Sequence, residues 1–192
     1  MINTENFEFD SVYHIFSHVN GKELIFREAT NYKFFLKQLD KYILPIAEIY
    51  SYCLLPNHFH LLLRFKNIDD VDIEAEHQYL MKSFGNFLNS YAKAFNKKYN
   101  RNGALFLNAI KRKKVTDEKY LLKVLHYIHN NPVNHGFVGI IGNWKHSSYN
   151  SYLNPEKVSK LNRTEILQYF DSLEVFKNYH QSNIEYDFLK FE

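Results

Sequence analysis

The segment from Ile46 to Phe65 reads IAEIYSYCLLPNHFHLLLRF, and it decides the fold expected for this chain. Its two halves are apolar runs, and Pro56-Asn57 between them is a turn signal. We therefore predict a β-hairpin whose strands cover residues 46–55 and His58 to Phe65.

The second strand of this hairpin has two chemically different faces. Successive side chains on a strand point to opposite sides, so His58 and His60 share one face. The other face is entirely apolar and suits a hydrophobic core. It comprises Phe59, Leu61, Leu63 and Phe65.

Helical periodicity and capping signals predict the remaining elements. Pro132 disfavours helical geometry in the residue before it, which predicts that the helix containing Tyr127 ends near Asn131. The predicted elements are a strand at Tyr13 to Val19, a helix from Asn31 to Tyr42 capped by Thr30, a helix from Glu74 to Tyr99, a strand-like segment from Leu105 to Val115, the helix after a capping Thr116, and a terminal helix from Arg163 to Tyr179.

The order of these elements is strand, helix, strand, strand, helix, strand, helix. This order predicts an α+β fold with a ferredoxin-like antiparallel sheet packed with helices, followed by a C-terminal helical extension. We predict a catalytic domain over residues 1–140 and an extension over 141–192 that packs on the same domain.

Composition excludes several classes of protein. The chain has 192 residues, is 45% hydrophobic and is long enough for one packed domain. It has no apolar run of membrane-spanning length and no signal-peptide pattern at its start. Its single cysteine, Cys53, lies in an apolar run typical of a core. We expect a cytoplasmic protein that does not enter a membrane.

Positive charge is concentrated in two short clusters, although the formal net charge is only +3. A charged cluster is commonly a solvated face, and that interpretation stays open for either one. Two clusters that flank one segment also suit phosphate binding. The candidate phosphate-binding residues are Lys97, Lys98, Arg101, Lys111, Arg112, Lys113 and Lys114.

The histidine pair of the second hairpin strand is a candidate metal site. Two imidazoles two residues apart on a rigid strand can bind one divalent cation. A pair of partly buried, hydrogen-bonded structural histidines is the alternative, because His58 and His60 are only two of ten histidines.

A second candidate group is Tyr127 with Asn131, which lie one helical turn apart on the flank of their helix, at the edge of a groove. The Asn131 amide oxygen would complete a three-ligand set for Mg²⁺ or Mn²⁺. Tyr127 would be the nucleophile, and a phenol with its ordinary pKa near 10 needs a nearby cation or base. A tyrosine that merely packs on an amphipathic helix is the alternative.

Three runs carry a resemblance to a known family. They are YCLLPNHFHLLL at 52–63, YIHNNPV at 127–133 and WKHSSY at 144–149. In this order they resemble the IS200-like transposases, and among these most closely the REP-associated tyrosine transposases. That branch carries Asn at the position of Asn131, where insertion-sequence members commonly have Gln.

The resemblance implies a nuclease that cuts and rejoins single-stranded DNA near imperfect hairpins. It assigns His58, His60 and Asn131 to the metal and Tyr127 to attack on the scissile phosphate, giving a 5′-phosphotyrosine and a free 3′-OH. Relatives act as homodimers or as monomers, and both states stay open. For such an enzyme the basic residues of the two clusters are candidates for contacting DNA. His129 is a further candidate, against a purely local hydrogen-bonding role.

Two other functions stay open at this level. One is a transposase-derived protein that binds DNA hairpins without cutting them. The other is a metal hydrolase with water as nucleophile, which lacks an obvious carboxylate or third histidine at ligand spacing.

Overall fold

The predicted hairpin forms one half of a four-stranded antiparallel sheet in a computed structural model of the chain. The structure describes residues 5–18, 23–106 and 110–186. The elements are β1 (Val12–His18), α1 (Ala29–Tyr42), β2 (Ala47–Leu55), β3 (His58–Phe65), α2 (Glu76–Lys98), β4 (Lys111–Val115), α3 (Glu118–Asn134), α4 (Tyr149–Tyr152), α5 (Arg163–Leu167) and α6 (Leu173–Gln181).

The strand order confirms the predicted α+β, ferredoxin-like fold. The strands lie in the order β2-β3-β1-β4, and every pairing is antiparallel. With α1 between β1 and β2 and α2 between β3 and β4, the chain follows the βαββαβ path of that fold. The register sets Phe16 of β1 opposite His60 of β3 and opposite Lys111 of β4.

Helices cover both faces of the sheet. On one face α1 and α2 pack on the apolar side of β3, where Phe59 and Leu61 are fully buried. On the other face α3 packs against Leu62 and Cys53. The predicted division of β3 is therefore correct, and its histidine side faces α3.

Two predicted boundaries of α3 are wrong. Asp117, and not Thr116, is the N-cap, because its carboxylate accepts the backbone N–H of Tyr120 at 2.8 Å. Pro132 does not end the helix, which continues to Asn134. The Pro132 ring is buried near the helix end. The helical hydrogen bonds resume after it, since the His135 N–H donates to the Asn131 carbonyl. The missing backbone N–H of Pro132 therefore costs little stability.

Other boundaries also shift. The α1 helix begins at Ala29 after Glu28, not after a Thr30 cap, and β4 begins only at Lys111. The predicted terminal helix is two helices, α5 and α6, because Ser172 caps a new helix by accepting the Val175 N–H.

The segment after α3 covers the free edge of β2. The Leu54 N–H donates to the His146 carbonyl at 3.0 Å, and the Ser148 N–H donates to the Tyr52 carbonyl at 2.9 Å. Bonds of this kind protect a sheet edge from pairing with another chain. The domain boundary at residue 140 stays a prediction. None of the described helices is both long and apolar enough to cross a membrane.

Candidate functional site

Packing of α3 on β3 brings both candidate groups together within one chain. His58 Nε2 lies 3.2 Å from Asn131 Oδ1. The Tyr127 ring stands edge-on to the His60 ring, with centroids 5.4 Å apart. The sequence placed Tyr127 and Asn131 on a helix flank at a groove edge, whereas both are buried, at 3% and 0% exposure. Because α3 lies across the sheet, this side of the helix faces β3.

The histidine pair is held by two residues to which the sequence pattern gives no role. Asn57 Oδ1 lies 2.8 Å from His58 Nδ1, and His14 Nε2 lies 3.0 Å from His60 Nδ1. His14 comes from β1, the neighbour of β3, and its ring stacks on that of His60. Both contacts engage the Nδ1 side of the site histidines, and the nitrogen of His58 that lies beside Asn131 is Nε2. The adjacency of Asn57 was visible in the sequence, but the approach of His14 depends on strand pairing.

The donor set fits a small divalent cation. A neutral imidazole carries one N–H. If His58 donates it to Asn57, then the Nε2 lone pair and the Asn131 amide oxygen face each other as two acceptors. Adjacent ligands of one ion with bonds near 2.1 Å lie roughly 3 Å apart, close to the observed separation. Asn131 Nδ2 is buried and has no hydrogen-bond partner among the described residues. Such an orphaned group is typical of a functional constraint.

Two further aromatic rings surround the Tyr127 ring. The His14 ring is edge-on at 6.0 Å, and the Tyr186 ring follows at 5.1 Å on the other side. The Tyr186 hydroxyl is held by His126 Nδ1 at 2.7 Å. The nucleophile candidate therefore lies in an aromatic and histidine-rich environment that fixes the orientation of its ring.

His129 belongs to a second, buried histidine cluster behind the site. Its Nε2 lies 2.8 Å from Ser148 Oγ and its Nδ1 lies 2.9 Å from His180 Nε2. With 0% exposure, the His129 side chain is not available to DNA in this structure. Its position supports the local hydrogen-bonding alternative, with α3 tied to α6 and to the segment that covers β2.

The buried histidines predict acid-sensitive stability. Burial lowers the pKa of His126 to about 4 and that of His180 to about 3. Both are neutral when folded, whereas in the unfolded chain they take up protons below about pH 6.5. Their contribution is therefore complete above pH 6.5 and declines as the pH falls. We expect the free energy of unfolding to drop by about 1.4 kcal/mol per pH unit for each such histidine down to about pH 4.

Urea unfolding between about pH 7 and pH 4.5 measures this effect. The variant His180→Gln should have a shallower pH dependence, since it removes one of the titrating groups. Equal unfolding free energies at both ends of the range would contradict the prediction.

The structure divides the candidate DNA-binding residues between two faces of the molecule. Lys111 and Lys113 pair with Phe16 and His14, so they lie on the same side of the sheet as the histidine pair. Arg112 points to the opposite side, where it is buried over the Phe7 ring at 4.8 Å. We therefore do not include Arg112 in a DNA interface.

The other basic candidates lie away from the site. Lys114 pairs with Glu8, Lys98 pairs with Glu28, and Arg101 forms a two-pronged ion pair with Glu23 at 2.6 and 2.7 Å. Lys97 and Lys98 end α2, which packs on the face opposite α3. The ion pairs favour structural roles for Lys114, Lys98 and Arg101. For the cluster at the end of α2, they and its position favour the solvated-face interpretation.

Comparison with known proteins gives one sequence relative and a similar solved fold. No family model matches the chain. A curated protein of Haemophilus influenzae, named a REP-associated tyrosine transposase, is 33% identical over 105 residues. The match covers 53% of this chain and 58% of that protein, so the chain spans less than two thirds of its relative. A solved REP-associated tyrosine transposase bound to a REP hairpin has a TM-score of 0.60 at 15% identity, covering 83% of this chain and 88% of that one.

The sequence relative and the similar solved fold both agree with the resemblance that the three motifs carry. Each of these two similar proteins carries the name REP-associated tyrosine transposase.

Proposed function

We propose that this protein is a metal-dependent, single-stranded DNA endonuclease and strand-transferase acting at hairpin-containing sites, as in DNA transposition. One observation carries the proposal: His58, His60, Asn131 and Tyr127 converge from two elements onto one site of one chain. The alternatives of structural histidines and of a packing tyrosine do not explain why all four meet.

In this proposal the two histidines and Asn131 hold Mg²⁺ or Mn²⁺. When bound, the ion would polarise the scissile phosphate and stabilise the charge that develops on it. Asn57 and His14 keep the Nε2 side of each histidine directed into the site.

Tyr127 carries the covalent step. Its Oη attacks the phosphorus, and the bond between phosphorus and the 3′ oxygen breaks. The phenol loses its proton, and the departing 3′ oxygen takes one up, so a 5′-phosphotyrosine and a free 3′-OH remain. A 3′-OH that attacks the phosphotyrosine rejoins DNA by the reverse exchange, with no external energy source. The fixed ring orientation of Tyr127 favours this geometry.

The proposed partner is single-stranded DNA that contains hairpins. A REP hairpin is bound in the similar solved structure, and we extend that ligand class to this chain as part of the proposal. Lys111 and Lys113 lie on the site's face of the sheet, where they can contact phosphates beside the cut.

Hairpin oligonucleotides labelled at the 5′ or the 3′ end test the proposed function. With Mg²⁺ or Mn²⁺, we expect a covalent protein–DNA band that retains the label on the 3′ side of the cut, and none in EDTA. Hairpin binding that EDTA does not change, with no cleavage in either metal, would show the non-catalytic alternative. A released 5′-phosphate without a covalent band would show the hydrolase.

Substitution of the two β4 lysines should weaken DNA binding. Each of Lys111→Ala and Lys113→Ala is expected to lower affinity several-fold and to reduce the slope of log K against log salt by about 0.7, the value for one lost contact to single-stranded DNA. Fluorescence anisotropy at several salt concentrations measures both quantities. Lys82→Ala is the control, because Lys82 is exposed on α2, on the opposite side of the sheet. An equal loss of DNA affinity in Lys82→Ala would show that DNA does not bind specifically at the β4 lysines beside the site.

A further inference from the structure

An aromatic surface begins at the candidate site and runs away from it. The His135 ring lies 5.0 Å from the His58 ring, and Phe137 follows at 6.5 Å from His135. The Phe137 ring is 5.5 Å from that of Trp144, at an interplanar angle of 38°. These three residues, His135, Phe137 and Trp144, form an aromatic platform.

Backbone geometry holds Phe137 in place on this platform. Gly136 has φ +71, a left-handed conformation that favours glycine. The Phe137 N–H donates to the Pro132 carbonyl and the Gly136 N–H to the Val133 carbonyl, each at 2.9 Å. This pair of bonds is the Schellman ending of a helix. The apolar residue after such an ending commonly packs on the helix, yet Phe137 is 44% exposed.

Trp144 supports the platform from the sheet side. Its indole Nε1–H donates to the Leu54 carbonyl at 3.1 Å, which anchors the ring to the end of β2 next to the hairpin turn. The platform is therefore fixed at both ends, by the end of α3 and by β2. His135 and Phe137 are exposed and Trp144 is half-buried, and a pre-positioned aromatic surface of this kind binds a flat ligand with little loss of side-chain freedom.

The charge around the platform suits a polyanion. From Lys119 to Pro155 the sequence contains no Asp or Glu, and Lys145 is exposed directly beside Trp144. A partner with acidic or phosphate groups therefore meets no carboxylate from this stretch. Bases stack on aromatic rings largely without regard to sequence, and phosphates pair with nearby lysines.

We propose that the aromatic platform stacks unpaired bases of the single-stranded DNA that leaves the candidate site. This proposal rests on the proposed function, which places the DNA strand at His58. Because the platform is continuous with His58, a strand that leaves the site in this direction runs onto the platform. It adds a binding surface for the unpaired nucleotides, separate from the metal ligands and from the β4 lysines.

The single tryptophan makes the platform directly observable. Trp144 is the only Trp in the chain, so intrinsic tryptophan fluorescence reports this surface alone. The protein carrying Tyr127→Phe, in EDTA, is titrated with oligothymidine and with an abasic oligonucleotide of equal length and charge. We expect oligothymidine to quench Trp144 and the abasic strand to leave its emission unchanged.

Substitution at Phe137 separates stacking from charge. Phe137→Ala should weaken oligothymidine binding about 10-fold and leave abasic binding unchanged, and Phe137→Tyr should restore the affinity. Tyr79→Ala is the matched control, because Tyr79 is similarly exposed, at 36%, but lies on α2. Equal quenching by the abasic strand, or unchanged affinity in Phe137→Ala, would overturn the proposal.

These measurements need neither metal nor cleavage. A platform that stacks bases in a protein that forms no covalent band would retain this proposal and reject the proposed function. A covalent band, together with unchanged oligothymidine affinity in Phe137→Ala, would retain the proposed function and reject the base-stacking role of the platform.

Discussion

Tyr127→Phe should abolish the covalent protein–DNA band and reduce strand cleavage by about three orders of magnitude or more, as expected when a nucleophile is removed. The substitution deletes one oxygen and retains the ring, so its contacts with His60, His14 and Tyr186 are preserved. Unfolding temperature and DNA affinity should therefore remain near the values of the unsubstituted protein.

Tyr42→Phe is the matched control for this variant. Tyr42 is half-buried on α1, on the face of the sheet opposite α3, and its substitution should leave the covalent band intact. Persistence of the band in Tyr127→Phe would show that another residue is the nucleophile. Loss of the band in both variants would indicate a general loss of structure.

Substitution of a proposed metal ligand should weaken metal binding strongly. Titration with Mn²⁺, followed by electron paramagnetic resonance, measures the metal affinity in the absence of DNA. We expect His60→Ala to weaken Mn²⁺ binding by at least about 100-fold, because the set loses one of its three ligands. Asn131→Ala should have a similar effect. Asn131→Asp should retain binding, because a carboxylate oxygen replaces the amide oxygen.

His14 distinguishes a positioning role from a ligand role in the same measurement. His14→Ala should weaken Mn²⁺ binding about 10-fold, since it removes the contact to His60 Nδ1 but no ligand. His77→Ala is the control, because His77 lies on α2 and accepts the Phe7 N–H. Mn²⁺ affinity that is unchanged in a folded His60→Ala protein would reject the proposed ligand set.

Local periodicity made the hairpin and its two faces predictable. The alternation in His58 to Phe65 requires that the two histidines share one side, whatever surrounds the strand. The four-residue spacing of Tyr127 and Asn131 likewise places them on one side of any helix that contains both. The candidate residues, their pairing within each element and the βαββαβ order were therefore available from the sequence.

Other local predictions failed where a neighbouring part of the structure changed the outcome. Thr116 and Asp117 are both good capping residues, and only the helix geometry selects Asp117. Pro132 was expected to end α3, but burial of its ring and the bonds after it let the helix continue. The run Lys111 to Lys114 looked like one charged patch, whereas strand alternation directs Arg112 into the opposite face.

The sequence by itself determined which side chains share a face of each strand or helix, because that depends only on the repeat of the element. Tertiary structure decided which faces meet. The packing of α3 on the histidine side of β3 joined Tyr127 and Asn131 to His58 and His60. Other long-range contacts brought His14 from β1 to His60 and buried His129 against His180 and Ser148. No local pattern encodes these contacts, because they join residues that are far apart in the chain.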